Sequence, residues 1–245
     1  MLVKADFHLH TSEDREDRVA HSAHELIKYA AKTGFNAISI TNHNTFTFSR
    51  DLENFAADLG VLLIPGIEKK VEGKHVLILN AYPATERIKT FAELLNAKND
   101  GVFVIAPHPF FKTSECLGNK LLENLDLFDA LEFSFCYSKW FNLNKQTLRL
   151  AEEKALPVVG NSDCHVLKYM GVCHSVLQAT DLTLEGVFSA IHSEQVQVVS
   201  QPLSLAILAR ILFEMKFKKY KLFLQRRNGP VFLSQRKGKE VCIQG

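Results

Sequence analysis

Eight short apolar runs, separated for the most part by helical patterns, constrain this chain most. They are LVKADF (2–7), NAISIT (36–41), VLLIPGI (61–67), HVLILNA (75–81), VFVIAP (102–107), ALEFSF (130–135), PVVGNS (157–162) and VQVVS (196–200). Most are continuous rather than alternating, the pattern of strands covered on both faces. Between them, SAHELIKYAAKTG opens on Ser22 with Glu25 three residues later, a capping box, and Gly34 stands at the C′ position. RIKTFAELLNAK (87–98), NKQTLRLAEEKA (144–155) and LEGVFSAIH (184–192) also have helical spacing. EKKVEGK, between the third and fourth runs, is too short for a helix. The alternation reads βαβ, hence a mostly parallel sheet or barrel. A chain of 245 residues, 47% hydrophobic, is long enough for one α/β barrel.

Polar residues collect where the runs end. His8 and His10 follow the first, and residues i and i+2 of a strand point to one side, so both imidazoles reach one point. Two imidazoles with a nearby carboxylate make half a metal site. Thr41-Asn42-His43-Asn44 ends the second run, Pro65-Gly66-Ile67-Glu68 the third, Ala106-Pro107-His108-Pro109 the fifth, and Gly160-Asn161-Ser162-Asp163-Cys164-His165 the seventh. In a parallel α/β barrel these ends share one face, the face that carries active sites. Each signal alone has a plain alternative: a capping or core histidine, a solvated Glu68, a turn at 163–165. Their joint recurrence at strand ends argues for one site.

The net charge of +2 selects no partner, but its distribution is uneven. Residues 201–245 hold ten Lys and Arg against Glu214 and Glu240, a net of +8, which leaves −6 on residues 1–200. This suggests a barrel at 1–200 and a basic extension at 201–245. The five cysteines are odd in number, widely spaced and without a C-x-x-C pair, which fits a reducing, cytoplasmic setting. MLVKADFHLH holds no apolar stretch long enough for a signal peptide, and no segment reaches transmembrane length.

DFHLHTSEDREDR, ITNHNT, PGIE, APHPF and GNSDCH, in this order over residues 6–165, together resemble the PHP (polymerase and histidinol phosphatase) superfamily. The resemblance implies a distorted (β/α)7 barrel with a site of two or three divalent metal ions. It also implies hydrolysis of phosphate esters by a metal-activated hydroxide. Matched motif by motif, it implies His8, His10, His43, Glu68, His108, Asp163 and His165 as ligands, with Glu68 the bridge between metals. Asp17 fits a further ligand after the first pair, with Asp14 and His21 as alternatives, and His75 fits another. The mixture of His and carboxylate donors admits Zn, Mn or Fe. Asp163 and His165 are candidates for proton transfer. Arg18, beside Asp17, is the first candidate for a phosphate clamp, ahead of Arg15, Lys69, Lys139 and Lys168. Asn42 stands where the family has an acid, and Asn161 and Cys164 vary the last motif. Cys136 reads as a buried structural residue rather than a ligand.

The implied substrate is a phosphorylated small molecule or a nucleotide, with short single-stranded nucleic acid a further candidate. Two other readings are an amidohydrolase and a nucleic-acid-binding module that uses the basic extension. The fourth run, HVLILNA, lacks the Lys that an amidohydrolase would carboxylate as its bridge. In the extension, Leu205, Leu208, Ile211, Leu212 and Met215 have helical spacing with Pro202 at its start, predicting a helix packed on the barrel. Lys216, Lys218, Lys219, Arg226 and Arg227 read as a solvated face, with nucleic-acid backbone the next reading.

Overall fold

The computed structural model describes residues 1–210 and 213. Met1–Leu203 form one compact unit, and Ser204 opens a second. In the first, strands β1 (Leu2–Leu9), β2 (Ala37–Ile40), β3 (Leu62–Val71), β4 (Lys74–Leu79), β5 (Phe103–Ala106), β6 (Ala130–Ser134), β7 (Val158–Asn161), β8 (Cys173–Gln178) and β9 (Val196–Ser200) form a single sheet. Its order is β7-β6-β5-β4-β3-β2-β1-β8-β9. Helices α1 (Ala23–Lys32), α2 (Arg50–Asp58), α3 (Phe91–Asn99), α4 (Asn119–Glu123), α5 (Asn144–Lys154) and α6 (Leu184–His192) complete it.

The sheet curls into a nearly closed α/β barrel. At the seam, the Ser175 hydroxyl on β8 accepts the N–H of Gly160 on β7 at 2.9 Å and donates to the Gly160 carbonyl at 3.1 Å. A side chain at Gly160 would lie 2.8 Å from the His174 carbonyl, so glycine permits this approach. Higher up, His10 N–H donates to Cys164 O and Cys164 N–H to His8 O, at 3.1 and 3.2 Å, joining β1 to the segment after β7.

The interior is layered. Val3, Ala5 and Phe7 of β1, Ile64 of β3, Leu77 and Leu79 of β4, Ile105 of β5, Ala130 of β6 and Val159 of β7 meet Val187 and Ile191 of α6 in one apolar cluster. Further along the same strands, at even spacing and so on the same side, stand Glu68, His75, Glu132 and Asn161. The apolar half holds the barrel together, and the polar half is the mouth. Outside, α1 and α2 cover β1–β3, and α3 and α5 lie over β3–β7.

Two strands run against the expected parallel direction. β3 continues to Val71, through Glu68, and turns at Glu72 (φ 46°) and Gly73 (φ 80°) into antiparallel β4. Two successive positive φ values make the two-residue hairpin that short connections favour. β8, unpredicted from sequence, lies antiparallel to β1. Helix α2, likewise unpredicted, packs Leu52, Phe55 and Ala56 at helical spacing against the cluster over β1–β3.

In the second unit residues 205–210 are helical, and Ser204 Oγ accepts the Ile207 N–H, so the helix starts at Ser204 rather than near Pro202. Ile211, Leu212 and Met215, and the basic residues from Lys216 onward, lie outside the described residues. Among the described residues no helix is long and apolar enough to cross a membrane.

Candidate metal centre

A bulge in β1 aims the first histidines. Asp6 pairs with Ile38 and Leu9 with Ile40, so three steps along β1 oppose two along β2. Phe7 therefore packs with the interior cluster while its neighbour His8 also turns inward, and Leu9 faces α1. The Phe7 N–H donates to Asn161 Oδ1 at 2.9 Å, and the Asn161 amide donates to Glu132 Oε2 at 3.1 Å. Asp6, wholly buried beneath the bulge, accepts the Ser162 hydroxyl and N–H. Burial pushes its carboxyl up to about 7 against those hydrogen bonds.

Glu68 stands at the centre, 2% exposed. Its Oε2 lies 3.2 Å from His8 Nε2, 3.4 Å from His10 Nε2 and 3.0 Å from His43 Nε2. Its Oε1 lies 2.7 Å from His75 Nδ1 and 3.6 Å from His108 Nε2. His75 gets there because β4 is antiparallel, so its first residues share the mouth with the end of β3. Asp163 Oδ1 approaches His8 and His10 Nε2 at 3.4 and 3.3 Å. His165 Nε2 meets Asp17 Oδ2 at 2.9 Å. Gly66 fixes the level of Glu68 on β3. A Cβ there would overlap Ser39 Oγ and come within 2.9 Å of Thr41 Cγ2.

Acids orient the rings from behind. His8 Nδ1 donates to Glu132 Oε2 at 2.8 Å, and Glu132 also accepts the His108 N–H at 3.1 Å. Asp14 Oδ2 takes Nδ1 of His10 at 3.0 Å and both Nδ1 and N–H of His43 at 2.8 Å. Asn42 bonds Thr11 and Thr47, and the acid at His43 Nδ1 is Asp14.

Charge follows from this packing. Burial disfavours ionisation of Glu68, yet His75, His43 and His8 hold its carboxyl well below the usual range. Burial acts likewise on Asp163, where His8 and His165 outweigh it. Burial disfavours protonation of His8, but Asp163, Glu68 and Glu132 hold it well above its ordinary value. His10 goes down, through burial and the neighbouring His165 and His43. His108 (φ 30°) and Asp163 (φ 46°) hold left-handed backbone, which His and Asp adopt more readily than most side chains.

The fold has solved counterparts. A two-domain protein containing a predicted PHP-like metal-dependent phosphoesterase, from Bacteroides vulgatus, matches with a TM-score of 0.61 at 18% identity, over 87% of this chain and 70% of that one. The lesion-specific endonuclease PfuEndoQ of Pyrococcus furiosus matches with a TM-score of 0.60 at 16% identity, over 81% of this chain. The chain spans only 58% of that endonuclease. Residues 142–196 match the PHP-associated family model. The chain shares its fold with these proteins, and residues 142–196 carry the PHP-associated sequence match. An uncharacterized protein of Methanocaldococcus jannaschii is 25% identical over 146 residues, 56% of this chain and 84% of that protein.

The metals that a PHP fold implies fit these donors. His8 Nε2 and His10 Nε2 are buried without a hydrogen-bond partner. Each such atom costs about 1–3 kcal/mol, and a shared cation removes that cost. Among the described residues, four groups have donor atoms close enough to hold an ion: His10, His43 and His165; His8, His108 and Asp163; His8, His10 and Glu68; His43, Glu68 and His75.

Of the residues singled out from the PHP motifs, His8, His10, His43, Glu68, His75, His108, Asp163 and His165 meet in these groups. Asp17 joins through His165, and Asp14 lies behind the rings rather than among the donors. Arg18 is exposed on the loop that carries Asp17. Cys136 lies outside the groups, and burial together with Asp163 pushes its thiol up to about 11. Glu132 escaped the motif reading. Its signal was a single acid in the otherwise apolar run ALEFSF.

Proposed function

We propose that the chain hydrolyses phosphate esters at two or three divalent cations held by His8, His10, Asp17, His43, Glu68, His75, His108, Asp163 and His165. The carrying observation is Glu68, whose two carboxylate oxygens face different sets of histidines, three on one side and two on the other. That is the disposition of a bridging ligand. Zn, Mn or Fe suits the mixed donors, and such ions supply Lewis acidity toward phosphate oxygens and lower the pKa of a water molecule to about 7.

The protein's own groups do the remaining work. Glu132 and Asp14 fix the Nδ1 side of His8, His10 and His43, so Nε2 faces the centre. Asp163 and His165 have side chains 15% and 19% exposed; His165, held protonated against burial by Asp163 and Asp17, is the group that passes a proton to the leaving oxygen, with Asp163 its anionic partner. Arg18 binds the substrate's phosphate from the neighbouring loop. The substrate is a phosphorylated small molecule, a nucleotide or a short oligonucleotide, and a lesion-specific endonuclease among the solved counterparts supports the nucleic-acid end of that range.

The test is hydrolysis of a nitrophenyl phosphate monoester, its bis-ester, a 3′,5′-bisphosphate nucleotide and a short RNA, each with Mn or Zn. We expect turnover of at least one, reduced about 100-fold in His8→Ala and Asp163→Ala. Equal turnover by wild type and variants would identify a contaminant and overturn the proposal, as would no turnover of any ester.

A further inference from the structure

The candidate histidines differ in what stands behind them. His8, His10 and His43 rest their Nδ1 atoms on carboxylates. His108 does not: its Nδ1 lies 3.3 Å from Cys116 Sγ. The thiol also meets Thr113 Oγ1 at 3.0 Å and is 4% exposed. The loop after β5 folds back to put it there. Phe111 N–H donates to His108 O at 3.1 Å, Cys116 N–H to Thr113 O at 3.4 Å, and Gly118 N–H to Pro109 O at 2.8 Å. On its far side His108 Nε2 lies 3.6 Å from Glu68 Oε1, the buried carboxylate oxygen that His75 Nδ1 also approaches, at 2.7 Å.

We propose that Cys116 is a positioning residue for His108 and makes the cation at His108 and Glu68 Oε1 the most weakly held of the cluster. The sulfur accepts the Nδ1 proton, which selects the tautomer that leaves Nε2 free for a cation. Sulfur is a weak acceptor and makes a longer contact than a carboxylate oxygen. It therefore raises the donor strength of His108 less than Glu132 or Asp14 raises that of their histidines. The phosphoesterase reading asks for at least two cations, and this inference rests on that reading. It adds that one of them exchanges first.

The test strips the purified 245-residue chain with a chelator and titrates it with Mn²⁺, reading free ion by electron paramagnetic resonance. Wild type is expected to bind at least two equivalents, one more weakly than the rest. Cys116→Ala should weaken that last step by about 10–100-fold and leave the others in place. Cys116→Ser should retain it and Cys116→Asp should tighten it, and this pair decides the matter if the alanine variant melts early by circular dichroism. Variants that all titrate like wild type, with wild type binding its full complement, would overturn the role of Cys116 alone. Wild type that binds no Mn²⁺ would overturn the metal-centre reading and this inference with it.

Discussion

Glu132 shows how one side chain supports a centre it does not enter. Fully buried, it receives His8 Nδ1, the His108 N–H and the Asn161 amide. Glu132→Ala leaves three donors unpaired at about 1–3 kcal/mol each, so the expected result is a melting temperature many degrees lower. Glu132→Gln keeps the shape but not the anionic partner. It should fold and bind Mn²⁺ about 10–100-fold more weakly, as read by calorimetric titration. Arg18→Ala should raise KM for a phosphate ester and leave kcat near wild type, and an unchanged KM would remove Arg18 from the site. At this scale the sequence was legible where a residue announces its own chemistry. His8, His10, His43, Glu68, His108, Asp163 and His165 each stood at a predicted strand end. Asp14 and Glu132 were obscure because their roles depend on which ring packs against them, and nothing in SEDRED or ALEFSF names that partner.

At the scale of elements, local signals served where the element carries its own stop and start. Ser22 and Glu25 form the capping box expected of α1, and both of its hydrogen bonds are present. Ser22→Ala should cost about 1 kcal/mol, measurable by urea denaturation, with metal binding unchanged. The direction of β4 was not written in its apolar residues, because HVLILNA reads alike in either direction. It was set by Glu72-Gly73, whose positive φ values form a hairpin. The bulge in β1 was equally hidden. It arises from pairing with β2, and without it a one-residue slip would turn His8 and His10 to the outer face. Gly66→Ala should destabilise the fold by about 1–3 kcal/mol, because the added methyl collides with Ser39 and Thr41 across the β2–β3 pair.

For the whole molecule the buried charge predicts how stability follows pH. Without metal, protonated His8, His43 and His108 face the carboxylates Glu68, Asp163 and Asp14, and these three imidazoles are held well above the ordinary 6.5. Groups raised in this way stabilise the fold fully below 6.5, and that contribution fades as pH rises through their folded values. Glu68 and Asp163 are depressed, so their contribution is present above the ordinary carboxylate values and fades on acidification. Cation binding needs unprotonated rings and carries the opposite sign. Melting scans between about pH 5 and pH 9 should therefore show the metal-free protein weakening toward alkaline pH while the rise caused by added Mn²⁺ grows. A metal-induced rise that shrinks as pH increases would contradict this. The barrel itself was foreseeable because buried strands and helical stripes alternate along the chain. Its reversed strands were not, because topology is decided by turns and by closure at the Gly160–Ser175 seam. The most direct test of the account is an anomalous difference map from crystals grown with Mn²⁺. The account predicts two or three peaks about 2.0–2.3 Å from donor atoms of the nine proposed ligands, with Glu68 shared between two of them. A map with no peak at Glu68, or with its only peaks elsewhere, would contradict it.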